Sequence, residues 1–144
     1  MNLLEKIAYY QRKKHCVNLE REKDSFKGSS CGFILDFSQD FVLLQTVDEF
    51  RVEGYQVIPT YTISRVRFDR SDKFRDKILG WEKQKENVGI ANKIDLASWS
   101  SVFKSIKKTG CFVTVEGEAL ISDDISYVTL GRIKRIERKE IVIQ

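Results

Sequence analysis

His15 is the single histidine of the 144-residue chain, and it stands beside Cys16, one of three cysteines at positions 16, 31 and 111. A cysteine nucleophile needs a base within hydrogen-bond reach. Around this pair Cys16, Asn18 and Glu20 alternate with Val17 and Leu19. That is the pattern of a strand, on which adjacent side chains point to opposite faces, so His15 and Cys16 do not read as a dyad. A metal site is not expected either, because there is no CxxC spacing and one histidine is too few. The cysteines read as three small core residues. A disulfide between Cys16 and Cys31, open to them if they lie on neighbouring strands, reads as incidental.

Carboxylate pairs occur at Asp36 with Asp40 and at Asp123 with Asp124, each beside an expected turn where acids serve turn geometry. Gly110, Gly117 and Gly131 are isolated, so no loop cradles a phosphate. No catalysis, metal or cofactor is expected on these grounds. Two stretches are locally basic: residues 65 to 77 hold six bases against three acids, and residues 132 to 140 hold five against two. Arg65, Arg67, Arg132, Lys134 and Arg135 are therefore candidate contacts to a nucleic acid or another partner, with Tyr55 and Tyr61 as stacking platforms. The acids Asp69, Asp72, Asp76, Glu137 and Glu140 interleave with these bases, as on a salt-bridged solvated surface. Over the whole chain 25 bases against 21 acids leave a charge of +4. Binding to RNA or DNA is accordingly expected to be weak.

These residues are carried on short elements. Leu3, Leu4, Ile7 and Tyr10 recur at helical spacing behind Asn2, with Glu5 placed for a capping box, predicting a helix over 3–13. A strand over 15–20 and a loop over 21–25 follow, then strands over 32–37, 41–47 and 55–61. Residues 41 to 44 are apolar on both faces, which predicts that Leu43 and Leu44 are both buried. Behind Ser71, the stripe Phe74, Ile78 and Trp81 predicts a connector helix over 72–82. Leu96, Trp99, Phe103 and Ile106 predict a second amphipathic helix after Asp95, stopped at Gly110, with Trp81 and Trp99 expected at an interface. Strands are expected over 111–116, 125–130, 132–137 and 140–143.

The order helix then strands thus occurs twice. An offset of 96 lays Ile7 on Phe103, Tyr10 on Ile106 and Val17 on Val113. Toward the back an offset of 70 lays Val57 on Tyr127, Ile63 on Ile133 and Arg65 on Arg135. Three segments follow: 1–70, a first helix with its β unit; 71–94, a connector; and 95–144, a shorter second copy. Apolar runs such as 41–44 fall far below the roughly 20 residues of a membrane span, and no secretory signal opens the chain. A soluble, cytoplasmic protein is expected.

Residues 32 to 44, GFILDFSQDFVLL, resemble the first motif of the Sm-like proteins, a branch of the SH3-type small barrels, in the spacing of glycine and apolar positions. They also resemble a group of bacterial proteins in which a GYILDY-type strand precedes an EYVLLQ-type strand. The resemblance implies a mainly β fold with α, an α+β chain of two small Sm-like or SH3-like bent β-barrel units, each preceded by a helix. In that family an Asp and an Asn of the first motif and an Arg-Gly of the second hold RNA. Here those positions are Ser38, Val42, Pro59 and Thr60. Valine and proline supply no group that reads a base. The expected function is therefore a non-catalytic binding or scaffold module with a protein partner, as monomer or dimer, and the alternative is weak, sequence-indifferent nucleic-acid binding.

Overall fold

A computed structural model describes residues 1–23, 26–118, 126–138 and 140–144, and it divides into two compact units, Met1–Ala91 and Asn92–Gln144. The first opens with helix α1 (Leu3–Lys13). Asn2 accepts the Glu5 N–H and the Glu5 carboxylate accepts the Asn2 N–H, both at 2.9 Å, closing the expected capping box. Strands β1 (Val17–Lys23), β2 (Phe26–Phe37), β3 (Phe41–Asp48), β4 (Arg51–Pro59) and β5 (Ile63–Arg67) follow, with one 3-10 turn, Thr60–Thr62, between the last two. They form an antiparallel sheet in the order β4-β3-β2-β1-β5. The region around 21–25, expected as a loop, extends the β1–β2 ladder on its described residues: Arg21 faces Gly28 and Glu22 faces Lys27. Cross-strand pairing of opposite charges supports a strand that intrinsic propensity disfavours.

Register shifts interrupt the β1–β5, β2–β3 and β3–β4 ladders. The β2–β3 register shifts between Ile34 and Asp36, so one residue of β2 bulges. At Gly32 a Cβ would lie 2.1 Å from the Gln45 carbonyl oxygen, so only glycine lets β2 and β3 approach here. One face of the sheet carries the core, with Val17, Leu19, Ile34, Val42, Leu44, Ile58, Ile63 and Val66 joined by Ile7 of α1 and with Leu3, Leu4 and Tyr10 packed on it. Leu43 and Leu44 are both buried, as the two-sided apolar strand requires.

Helix α2 (Arg70–Trp81) belongs to the first unit. Its cap is Asp69 rather than Ser71: the Asp69 carboxylate accepts the Ser71 and Asp72 N–H groups. The helix also presents a different face from the one expected. Phe74 and Trp81 are 60% and 68% exposed, whereas Asp72, Asp76 and Leu79 are buried, at the i, i+4, i+7 spacing of one stripe. Leu79 packs on Cys16 and Phe33 of the outer sheet face. Two acids can occupy this stripe because cations from neighbouring elements neutralise them.

The second unit holds α3 (Trp99–Thr109), β6 (Val113–Glu118), β7 (Ser126–Gly131), β8 (Ile133–Ile136) and β9 (Ile141–Ile143). Ser98, not Asp95, caps α3, accepting the Ser101 N–H at 3.1 Å, and Gly110 ends it at φ 69°. Trp99 stacks on Phe103 with ring centroids 5.2 Å apart and is 43% exposed. Strands β6 and β7 pair antiparallel, as do β8 and β9. The protein is thus α+β with antiparallel sheets, and among the described residues no sheet closes into a barrel.

Strand pairing revises the internal repeat. In the first unit Ile34 faces Leu44, Asp36 faces Leu43 and Phe37 faces Val42. In the second, Ile133 faces Ile143, Arg135 faces Val142 and Ile136 faces Ile141, each number higher by 99, with the register shift at the same place. The turns agree, since Ser38 N–H bonds Phe41 O and Glu137 N–H bonds Glu140 O, both at 2.8 Å. Gly131 repeats Gly32: a Cβ on it would lie 2.8 Å from the Gln144 carbonyl oxygen. The back of the second unit therefore matches β2 and β3 at an offset of 99, and not β4 and β5 at 70.

Candidate functional site

The most elaborate polar cluster lies where α2 meets β1 and β2. Asp72, fully buried, accepts the Arg67 guanidinium through Nε at 2.9 Å and Nη2 at 3.1 Å, Arg75 Nη1 at 3.3 Å and the Asp69 N–H at 3.0 Å. One turn on, Asp76 accepts the Cys16 N–H at 2.8 Å and pairs with Lys85 Nζ at 2.9 Å. His15 Nδ1 also lies 2.8 Å from Asp76, which places a proton on Nδ1 because a carboxylate only accepts. The His15 ring stacks on Phe68, centroids 4.7 Å apart. Burial of two carboxylates is tolerable only with such saturation. The hydrogen bonds to Asp72 raise the Arg67 guanidinium above its ordinary value, and the backbone bond from Asp72 helps hold Asp69 down to about 2.

Two thiols adjoin this network. Cys16 Sγ and Cys31 Sγ are 3.5 Å apart, and Arg75 Nη1 lies 3.3 Å from Cys31 Sγ. The hydrogen bond from Cys16, followed by the guanidinium charge of Arg75, holds the Cys31 thiol down to about 7 against the effect of its burial. The same bond, together with burial, pushes Cys16 far up. Of the three cysteines expected in the core, Cys16 is buried, Cys31 is half-buried and Cys111 is exposed. Asn18, the cross-strand neighbour of Cys31, has a buried Oδ1 with no hydrogen-bond partner among the described residues. The available signal was the i, i+4 spacing of Asp72 and Asp76 on the face that also carries Leu79. Their alternation with Arg70, Lys73, Arg75 and Lys77 along the chain hides this stripe from a reading of charge alone.

The residues singled out for partner contact are dispersed. Arg65 pairs with Glu20 at 3.2 Å, and Arg67 adds Asp69 at 3.3 Å and Glu20 at 3.7 Å to its bonds with Asp72. Tyr55 stands on β4, at the opposite end of the strand order from β5, and donates its hydroxyl to Gly89 O at 2.7 Å. Tyr61 is 68% exposed on the 3-10 turn. In the second unit the Arg132 guanidinium lies 4.5 Å over the Phe112 ring, Arg135 pairs with Glu137 at 2.6 Å, and Lys134 is exposed. Arg135 also lines a cleft of about 540 Å³ with Lys104, Lys107, Lys108 and Ile136.

The positions that would carry an Sm-type RNA site serve the fold. The Ser38 hydroxyl accepts the Phe41 N–H at 3.1 Å and the Asp40 N–H at 3.3 Å, closing the β2–β3 turn. Val42 is in the core, Pro59 precedes the 3-10 turn, and the Thr60 N–H bonds Asp40 O at 2.8 Å. The chain matches no protein-family model, no curated protein and no solved structure. No described helix is long and apolar enough to cross a membrane.

Proposed function

We propose that the chain is a non-catalytic binding or scaffold module of tandem small β-barrels of the Sm-like kind, and that its partner is a protein. The observation that carries this reading is the strand order β4-β3-β2-β1-β5, with a single 3-10 turn joining the two outermost strands. It leaves β4 and β5 each with one edge that no described strand pairs. Part of the β4 edge is used, since the Val52 N–H bonds Gln84 Oε1 at 3.1 Å. The β5 edge offers Ser64, Arg65 and Val66 as the natural place for an added strand, where backbone bonds give affinity. The repeat at an offset of 99 supports the tandem arrangement.

A second reading rests on the cationic cleft of Lys104, Lys107, Lys108 and Arg135: nucleic acid held by charge alone. Fluorescence-anisotropy titration of oligo-U, oligo-A and a duplex at two salt concentrations tests whether any nucleic-acid binding goes beyond charge. The expected result is weak binding, equal for all three and abolished by salt, and further lowered for all alike by Lys104→Gln with Arg135→Gln. Submicromolar, base-selective binding at physiological salt would overturn the protein-binding reading.

A further inference from the structure

We propose that Cys31 and Cys16 form a peroxide-responsive thiol pair, in which Cys31 is oxidised first and Cys16 closes a reversible disulfide between β1 and β2. The geometry carries this. Cys31 faces Asn18 in the ladder, so Cys16 stands diagonally across from it on the same face, and the two sulfurs already lie 3.5 Å apart. A disulfide is about 2.0 Å long, so the sulfurs need to close by roughly 1.5 Å. Access is divided as such a pair requires: Cys31 is partly open to solvent and Cys16 is buried behind it. Arg75, tethered to the buried Asp72, holds its guanidinium 3.3 Å from Cys31 Sγ. The bond from Cys16 and the Arg75 guanidinium favour the Cys31 thiolate, so Cys31 is the thiol of the pair that ionises first.

The chemistry balances with a hydroperoxide as oxidant. The Cys31 thiolate attacks one peroxide oxygen, an S–O bond forms and the O–O bond breaks. The departing hydroxide or alkoxide takes up a proton, leaving Cys31 as a sulfenic acid. Asn18 Oδ1, buried and unpartnered among the described residues, is an acceptor for a hydroxyl on this face. Cys16 then attacks the Cys31 sulfur: the S–S bond forms, the S–O bond breaks, and the hydroxide leaves as water with the Cys16 proton. Two thiols lose two electrons and the peroxide gains them. Two equivalents of a monothiol such as glutathione restore the pair by successive thiol–disulfide exchanges, through a mixed disulfide, and leave as the monothiol's own disulfide.

The test uses the full chain with Cys111→Ser as background, treated with hydrogen peroxide at neutral pH. Intact and peptide mass spectrometry is expected to show the loss of two hydrogens, a peptide crosslinked through Cys16 and Cys31, and reversal by glutathione. With Cys16→Ser added, a dimedone adduct should accumulate on Cys31 instead. Arg75→Gln should slow oxidation about threefold at pH 7, by removing the guanidinium beside Cys31 while the bond from Cys16 stays. In case that variant fails to fold, the pH profile of iodoacetamide labelling at Cys31 in the Cys111→Ser chain gives an independent readout, with its inflection expected near 7. The proposal is overturned if peroxide yields sulfinic acid or intermolecular dimers without the internal crosslink, or if the inflection lies above about 8.5.

Discussion

Replacing Asp72 with alanine is expected to destabilise the first unit by about 2–4 kcal/mol, the cost of losing a buried carboxylate that binds two partly exposed guanidinium groups and a backbone N–H. Asp72 is fully buried and binds Arg67 twice, Arg75 once and the Asp69 N–H, so the truncation strips four donors at once. It also removes the carboxylate half of the α2 capping box. Asp72→Asn keeps an acceptor and the shape of the side chain, and should cost less. Urea melts at neutral pH measure both, with the slope of stability against denaturant unchanged. A loss below about 1 kcal/mol for the alanine variant would mean that water or rearranged side chains replace the carboxylate, and that the network does not hold α2 on the sheet.

Leu44→Ala should cost about 2–5 kcal/mol in the same melts, and Leu43→Ala a similar amount. Leu44 sits in the core with Ile7 of α1 and with Val17, Leu19 and Ile58, whose spacing the sheet fixes against collapse into the gap. Leu43 points the other way, to the side where Gln45 is held by bonds to Asn87 O at 3.2 Å and from the Gly89 N–H at 2.8 Å. If Leu43→Ala is close to neutral while Leu44→Ala is not, the outer side of β3 is not a packed layer.

These sites also show what was legible in the residues. The two-sided apolar run at 41–44 and the capping box at Asn2 and Glu5 are local patterns, and local patterns survive folding. The inner face of α2 was not legible, because Asp72 and Asp76 become core residues only when Arg67, His15 and Lys85 converge from other elements to join Arg75 of the same helix. The long β1–β2 hairpin was missed for a related reason: Glu22 and Lys27 favour a strand only once each faces the other. The offset of 70 failed because alternating apolar residues match any strand to any other, whereas the bulge after Ile34 and after Ile133, and the close approach at Gly32 and Gly131, identify β2 specifically. The thiol pair needed the diagonal register of β1 and β2, which spacing alone does not give.

Amide hydrogen exchange on the chain bound to the protein that co-purifies with it from its own host, after nuclease treatment, tests the proposed role most directly. A stoichiometric protein partner and new protection centred on Ser64, Arg65 and Val66, the open edge of β5, are expected. Loss of all partners on nuclease treatment, or protection confined to the cleft of Lys104, Lys107, Lys108 and Arg135, would contradict that role.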